Sequence, residues 1–293
     1  MESTVLKNTN ASRRLLVAFA HPDDESFGPS GTIVHYAQQG VAVHYACATR
    51  GEAGHVDPKL LAGYDSLAEL RTKELLCAAG HLGLAALHLL DYRDSGMENS
   101  PENLNPESLM QAPLHEVADK LTLLIREIQP QVVLTHDPTG GYFHPDHIKV
   151  HQAAQLAFQW AGDAAWTSAI LAPGPPPFQP QKLYYTAFPR RLLKLMTAIA
   201  TLAGRDLEAF GHNNDINLKR IADVDQAVTT KIRVSRYWEA RRLAADCHAS
   251  QTRGSGGIAA SLLQRLIRFD TFTRAVPFFG SRRLERDLYT GIE

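Results

Sequence analysis

A chain of 293 residues, 44% hydrophobic and 21% charged, has the composition of a soluble globular protein and the length of one large α/β domain. A formal net charge of −1 argues against general nucleic-acid affinity. The longest apolar run, "LLKLMTAIATLAG" at 192–204, is too short and interrupted for stable membrane insertion.

From the N-terminus, "MESTVLKNTNASRR" lacks the apolar core and cleavage site of a signal peptide. "RLLVAFA" at 14–20 reads as a buried strand, and "SGTIVHYAQQG" as a helix with Ser30 as N-cap and Gly40 at its end. A second strand follows at 41–49, then a helix at "SLAELRTKELLCAAGHLG" and a short strand at "AALHLL". "LHEVADKLTLLIREIQ" is an amphipathic helix with Pro130 beyond its last turn; it leads into a fourth strand, "QVVLTHD". "HPDHIKVHQAAQLAFQWAG" opens another helix.

This alternation predicts a Rossmann-like parallel sheet covered by helices on both faces. "APGPPPFQPQ" at 172–181 is a stiff connection between a core at 14–171 and an elaborated C-terminal part at 182–293, within a single domain of 1–293. That part starts with a strand at "KLYYTAF" and is otherwise helix-rich, with one long segment near 225–250. "GSGG" at 254–257 is a turn and not a phosphate loop, because no strand precedes it. Residues 1–181 carry 11 basic against 20 acidic residues, and 182–293 carry 19 against 11. An arginine-rich solvated surface explains this more simply than an anionic partner. The three cysteines form no spacing motif; Cys47 and Cys77 read as small core residues, and a reducing, cytoplasmic compartment is expected.

Two polar clusters break the pattern. His21, Asp23, Asp24 and Glu25 follow the first strand, and "HDPTGGYFHPDHIKVH" at 136–151 follows the fourth. Ligands of an open parallel sheet bind outside the carboxyl ends of its strands, so both clusters fall on one rim. Imidazoles with carboxylates suit a divalent metal, Zn2+ above all, and iron(II) fits the same residue types. Adjacent side chains diverge, so one of Asp23 and Asp24 can ligate while the other faces an open coordination position. His144 and His147 sit three apart across a helix entry, with Asp146 between them.

"AHPDDE" (20–25) with "HPDH" (144–147) resembles the paired signature of the LmbE-like, PIG-L-type zinc N-deacetylases. The likeness runs through "ATRGEAG", "ELRTKE", "YRDSGM" and "DPTGGYFHPDH", covering 14–160; "RRLAADCHASQ" (241–251) fits as well. "YRDSGM" and "GGY" narrow it to the mycothiol-pathway branch, whose deacetylase acts on N-acetylglucosaminyl-inositol. The resemblance implies His21, Asp24 and His147 as zinc ligands and Asp23 as general base. It implies His144 as oxyanion stabiliser in imidazolium form, with Asp146 hydrogen-bonded to it, and Tyr142 as a second oxyanion donor. Arg71 and Asp94 match positions that hold the sugar or its aglycone. His55 stands where that branch carries an acid, so inositol is not carried over as the aglycone.

The expected reaction is zinc-dependent hydrolysis of the N-acetyl amide of an N-acetylglucosaminyl conjugate, a small N-acetylated amino-sugar substrate, releasing acetate and a free amino sugar. Alternatives are an amidase acting on a thiol conjugate or other N-acylated small molecule and a non-catalytic sugar-binding protein on the same fold; Asp23, which a pure binder does not need, disfavours the latter. No nucleic-acid partner is expected, and a homo-oligomer stays open.

Overall fold

A computed structural model describes residues 1–7, 11–188, 194, 197–199, 201–202, 217–224, 226–252, 267–278 and 284–292. The turn at 254–257, most of 192–204, and Arg190 and Arg191 lie outside them.

Eight strands form one sheet: β1 (Glu2–Val5), β2 (Arg14–Phe19), β3 (Ala42–Thr49), β4 (Ala86–Tyr92), β5 (Val132–Thr135), β6 (Lys182–Thr186), β7 (Thr230–Arg233) and β8 (Phe269–Val276). Their spatial order is β1-β4-β3-β2-β5-β6-β8-β7. The five strands from β4 to β6 run parallel, whereas β1, β8 and β7 add antiparallel edges. The chain steps from β2 to β3 on one side and resumes at β5 on the other. The carboxyl ends of β2 and β5 therefore flank a topological switch point, where open α/β sheets bind ligands.

Strand β2 shows why both faces are covered. Leu15, Val17 and Phe19 join one apolar cluster, Leu16 and Ala18 the other, and all five are essentially inaccessible. The first cluster packs under α2 (Ser30–Gln38) and α3 (Leu67–Leu82), the second under α4 (Leu114–Ile128) and α6 (Pro145–Gly162). Helix α3 starts where Ser66 Oγ accepts from the Glu69 amide at 3.2 Å, and it ends at Gly83. Ser30 is the first residue of α2, not its cap; Pro29 occupies that place.

The C-terminal part departs from a helix-rich reading. Helix α7 (Leu218–Asp223) precedes this stretch; within 225–250, Thr230, Ile232 and their neighbours form β7, as β-branched residues favour, and the longest helix is α8 (Trp238–Cys247). Strands β6, β8 and β7 extend the same sheet, and Ile232, Val234 and Leu288 enter its first apolar cluster. Buried Glu285 ties them together, accepting from Lys182 Nζ (3.1 Å), Tyr184 Oη (2.9 Å), Thr230 Oγ1 (2.9 Å) and Arg274 Nη1 (2.6 Å).

The cysteine reading is corrected. Cys77 is exposed on α3 and disulfide-bonded to Cys247 at the end of α8, 170 residues away; only Cys47 is buried and free. Helical periodicity puts Cys77 on the outer face of α3, which an apolar neighbourhood in sequence does not reveal. The cysteines therefore give no ground for a reducing compartment. No described helix is long and apolar enough to cross a membrane.

His44 and His88 meet across β3 and β4, Nδ1 to Nε2 at 3.1 Å, with Ser3 Oγ 2.8 Å from His88 Nδ1. Burial pushes both rings down to about 4 from 6.5. As pH falls, the unfolded chain takes up these protons first, so stability present above about 6.5 is lost on the way to about 4. A shift of this size is worth about 3 kcal/mol, and the shared hydrogen bond keeps the pair from giving twice that. Urea midpoints should fall over that window, and by less in His88→Gln; an unchanged slope in the variant would count against the pair as its source.

Candidate metal centre and active site

The end of β2 is fixed before any ligand is considered. The Thr49 amide and hydroxyl both donate to Ala20 O (2.9 and 3.1 Å), and Tyr45 Oη donates to His21 O at 3.0 Å. His21 thus leaves the sheet in a set direction, and the chain turns at once into the single helical turn α1 (Asp24–Phe27).

Three donor groups converge there. His21 Nδ1 lies 3.1 Å from His147 Nε2 and 3.7 Å from Asp24 Oδ2, and His147 Nε2 lies 3.4 Å from Asp24 Oδ1. A tetrahedral site with bonds of about 2.0–2.1 Å has edges of about 3.3–3.4 Å; the His21–His147 separation is close to that, and Asp24 meets the two rings through different oxygens, Oδ2 and Oδ1. His147 comes from the first turn of α6 and Asp24 from α1, two elements that meet only because β2 and β5 are neighbours. Burial pushes the Asp24 carboxyl up, but His147, His136 and His21 outweigh it and hold it well below the usual range. It stays ionised, as a ligand must. Burial likewise lowers His21, while Asp94, Asp146 and Asp24 more than offset this and raise it.

Asp23 points elsewhere. Its φ of 107° is one that side-chain-bearing residues rarely adopt, at a cost of about 1–3 kcal/mol. This backbone lets two successive carboxylates diverge: Asp24 joins the triad, and Asp23 Oδ2 accepts from Arg71 Nη2 at 3.1 Å. Arg71 also donates to Pro22 O (2.5 Å) and Gly51 O (2.9 Å), which pins the turn. Only glycine fits at 51, since a Cβ there would sit 2.0 Å from Arg71 Nη1. Burial pushes the Asp23 carboxyl up to about 6 in spite of Arg71.

His144 caps α6, its Nδ1 accepting from the Asp146 amide at 3.2 Å. The Asp146 carboxylate itself does not bond His144. It accepts from His21 Nε2 (3.1 Å), the Ser95 amide (2.9 Å) and Ser95 Oγ, so it orients His21. An N-cap turns its ring back onto the helix start, which leaves the carboxylate two residues on to face β2. With Nδ1 accepting, His144 is neutral with its proton on Nε2, and burial together with His21 lowers it to about 3. Tyr142 stands 5.1 Å from His147 and 5.8 Å from His144 between ring centroids. It is carried by α5 (Gly140–Phe143), where Gly140 and Gly141 take φ of 61° and 72° and Asp137 Oδ2 accepts the Gly141 amide at 2.9 Å. Asp94 is buried 3.4 Å from His21 Nε2 and accepts from the Gly96 and Ala53 amides.

Residues 16–158 match the PIG-L family, described as GlcNAc-PI de-N-acetylase. A 1D-myo-inositol 2-acetamido-2-deoxy-alpha-D-glucopyranoside deacetylase of Thermobispora bispora is 35% identical, across 96% of this chain and 99% of its own. The chain belongs to the PIG-L family. A protein of the same name from Thermobifida fusca is 36% identical over 89% of this chain and 92% of its own. The N,N'-diacetylchitobiose deacetylase of Pyrococcus horikoshii shares the fold, with a TM-score of 0.63 at 20% identity over 90% of this chain and 84% of that one.

Within this PIG-L chain the structure gathers His21, Asp23, Asp24, Arg71, Asp94, Tyr142, His144, Asp146 and His147 on one rim. His55 stands apart, exposed on a loop whose carbonyl is 3.5 Å from Gln251 Nε2. Arg71 and Asp94 are both buried.

Three further residues belong to the cluster. His136 stacks on His147 (centroids 3.9 Å apart), and its Nε2 is 3.5 Å from Asp24 Oδ2 and accepts the Ala20 amide at 3.1 Å. Its place right after β5 was the available signal. Glu25 and His248, 2.6 Å apart, are wholly buried behind Asp23; the "DCHAS" stretch carried His248 with no partner in view.

Proposed function

We propose that the chain is a zinc-dependent deacetylase that hydrolyses the N-acetyl amide of a small N-acetylglucosaminyl conjugate, releasing acetate and a free amino sugar. The carrying observation is the convergence of His21 Nδ1, Asp24 and His147 Nε2 within 3.1–3.7 Å at the switch point, beside a carboxylate excluded from that triad. His21, Asp24 and His147 hold the ion, which when bound supplies a Lewis acid and a water of pKa about 7. Asp23 takes the proton of the attacking water and returns it to the departing amine. The His144 Nε2–H and the Tyr142 hydroxyl donate to the developing oxyanion. Asp146 fixes the direction of His21, and Arg71 and Asp94 form the wall on which sugar hydroxyls are held.

The glucosaminyl-inositol named for the relatives is the first substrate to test; the exposed His55 acts, at most, at the mouth. In the cytoplasm expected for such a metabolite, the Cys77–Cys247 pair would be held reduced. The test is metal analysis together with a free-amine assay over N-acetylglucosaminides of unlike aglycones, plus a mycothiol-type thiol conjugate. About one metal per chain and amine release from the glucosaminides are expected. Release only from the thiol conjugate would move the assignment to the amidase, and binding without release to a sugar-binding protein.

A further inference from the structure

The left-handed turn at Asp23 needs something to hold it. One hold comes from Arg71, which donates to Pro22 O and to the Asp23 carboxylate. The other comes from behind. The Asp23 amide donates to Glu25 Oε2 at 2.9 Å, and Glu25 Oε1 accepts from Ser26 Oγ at 2.5 Å and lies 2.6 Å from His248 Nε2. Glu25 and His248 are both fully inaccessible, so water does not compete for these bonds. His248 follows α8 directly and sits 223 positions from Glu25 in the chain. The segment carrying it is itself anchored to α3 by Ser250, whose amide and hydroxyl donate to Glu74 at 2.8 and 2.6 Å.

We infer that His248 is a positioning residue of the hydrolytic site: through Glu25 it holds the Asp23 backbone in the conformation that separates the base from the metal ligands. This rests on the deacetylase reading and adds to it a residue from the C-terminal part. Glu25 is aligned by donors on two sides, Ser26 and His248, and its free oxygen then meets the Asp23 amide. Remove His248, and Glu25 is left in a dry site with one partner fewer. It rotates to recover a donor, and the Asp23 amide loses its acceptor. Asp24 has a hold of its own, the His21 amide donating to its Oδ2 at 2.9 Å, and Arg71 still grips Pro22 O, so metal binding is spared.

The experiment compares His248→Ala, His248→Gln and Asp23→Ala singly and in combination, with metal content, kcat and KM measured on the best glucosaminide of the panel. His248→Ala should keep its metal and KM and lose roughly 10–100-fold in kcat, the size typical of an outer-shell partner. His248→Gln, which still offers an N–H, should recover much of that loss. In an Asp23→Ala background, His248→Ala should cost almost nothing more, because its only route to the reaction is gone. Wild-type kcat in His248→Ala, or losses that multiply with those of Asp23→Ala, would overturn the inference and leave the deacetylase reading standing. A wild-type protein with neither metal nor amine release overturns both. Should His248→Ala fail to fold, Glu25→Gln decides by the same readings, since it keeps the shape and removes the charge that His248 aligns.

Discussion

Replacing Asp23 with alanine is expected to leave the metal in place and to reduce turnover by about 10²–10⁴, the usual worth of a positioned general base. The reasoning is spatial. Asp23 Oδ2 is taken by Arg71, while both Asp24 oxygens face the histidines. Removing the first carboxylate therefore deletes no donor atom of the triad. Electrostatics assign it the same role: burial raises Asp23 to about 6, close to where a base is most useful, whereas Asp24 is held far below. The sign follows. The base must be ionised, so kcat/KM should climb as pH rises through about 6 and fall away below it, and that acid limb should be missing from the residual activity of Asp23→Ala. Metal content measured beside activity is the check. If metal is lost in step with turnover, Asp23 and Asp24 have been given each other's roles.

What was legible in the sequence is what local order can encode. A five-residue cluster after an apolar run marks the end of a strand, and two such clusters after parallel strands share a rim whatever the order of the others. Hence the clusters at 21–25 and 144–147 could be placed together before any coordinates, while the choice of Asp24 over Asp23 and of His147 over His144 came from the family resemblance. Contacts closed by distant chain were not legible. His248 reaches Glu25 across 223 positions, and Cys77 reaches Cys247 across 170; no spacing rule links either pair. His136 was hidden differently. It lies inside a quoted segment, but its side chain turns to Asp24 only because the Ala20 amide claims its Nε2. Asp146 illustrates a limit of reasoning from neighbours. Two residues from His144, it offers that ring its backbone amide and gives its carboxylate to His21.

His147→Ala should cost both metal and activity, and more of each than the roughly 10–100-fold lost with an orienting partner. Its Nε2 stands within 3.4 Å of donors on both other residues, so its removal leaves two ligands three residues apart on one turn and none from α6. The nearest substitute is His136, stacked on the vacated ring at 3.9 Å. It cannot move in without surrendering the Ala20 amide, and a buried donor left unsatisfied costs about 1–3 kcal/mol. Asp146→Ala supplies the contrast. It removes the partner of His21 Nε2 but no donor atom, so metal affinity should drop only within the outer-shell range, while His147→Ala should not hold the ion through dialysis. Protons compete for the same lone pairs, so wild-type metal affinity should also weaken as pH falls, because ligating imidazoles must be neutral. Near-stoichiometric metal in dialysed His147→Ala, with normal amine release, would remove His147 from the ligand set. Asp24, His136 and His21 would then be the group to test, and the stacking of His136 on His147 would be packing alone.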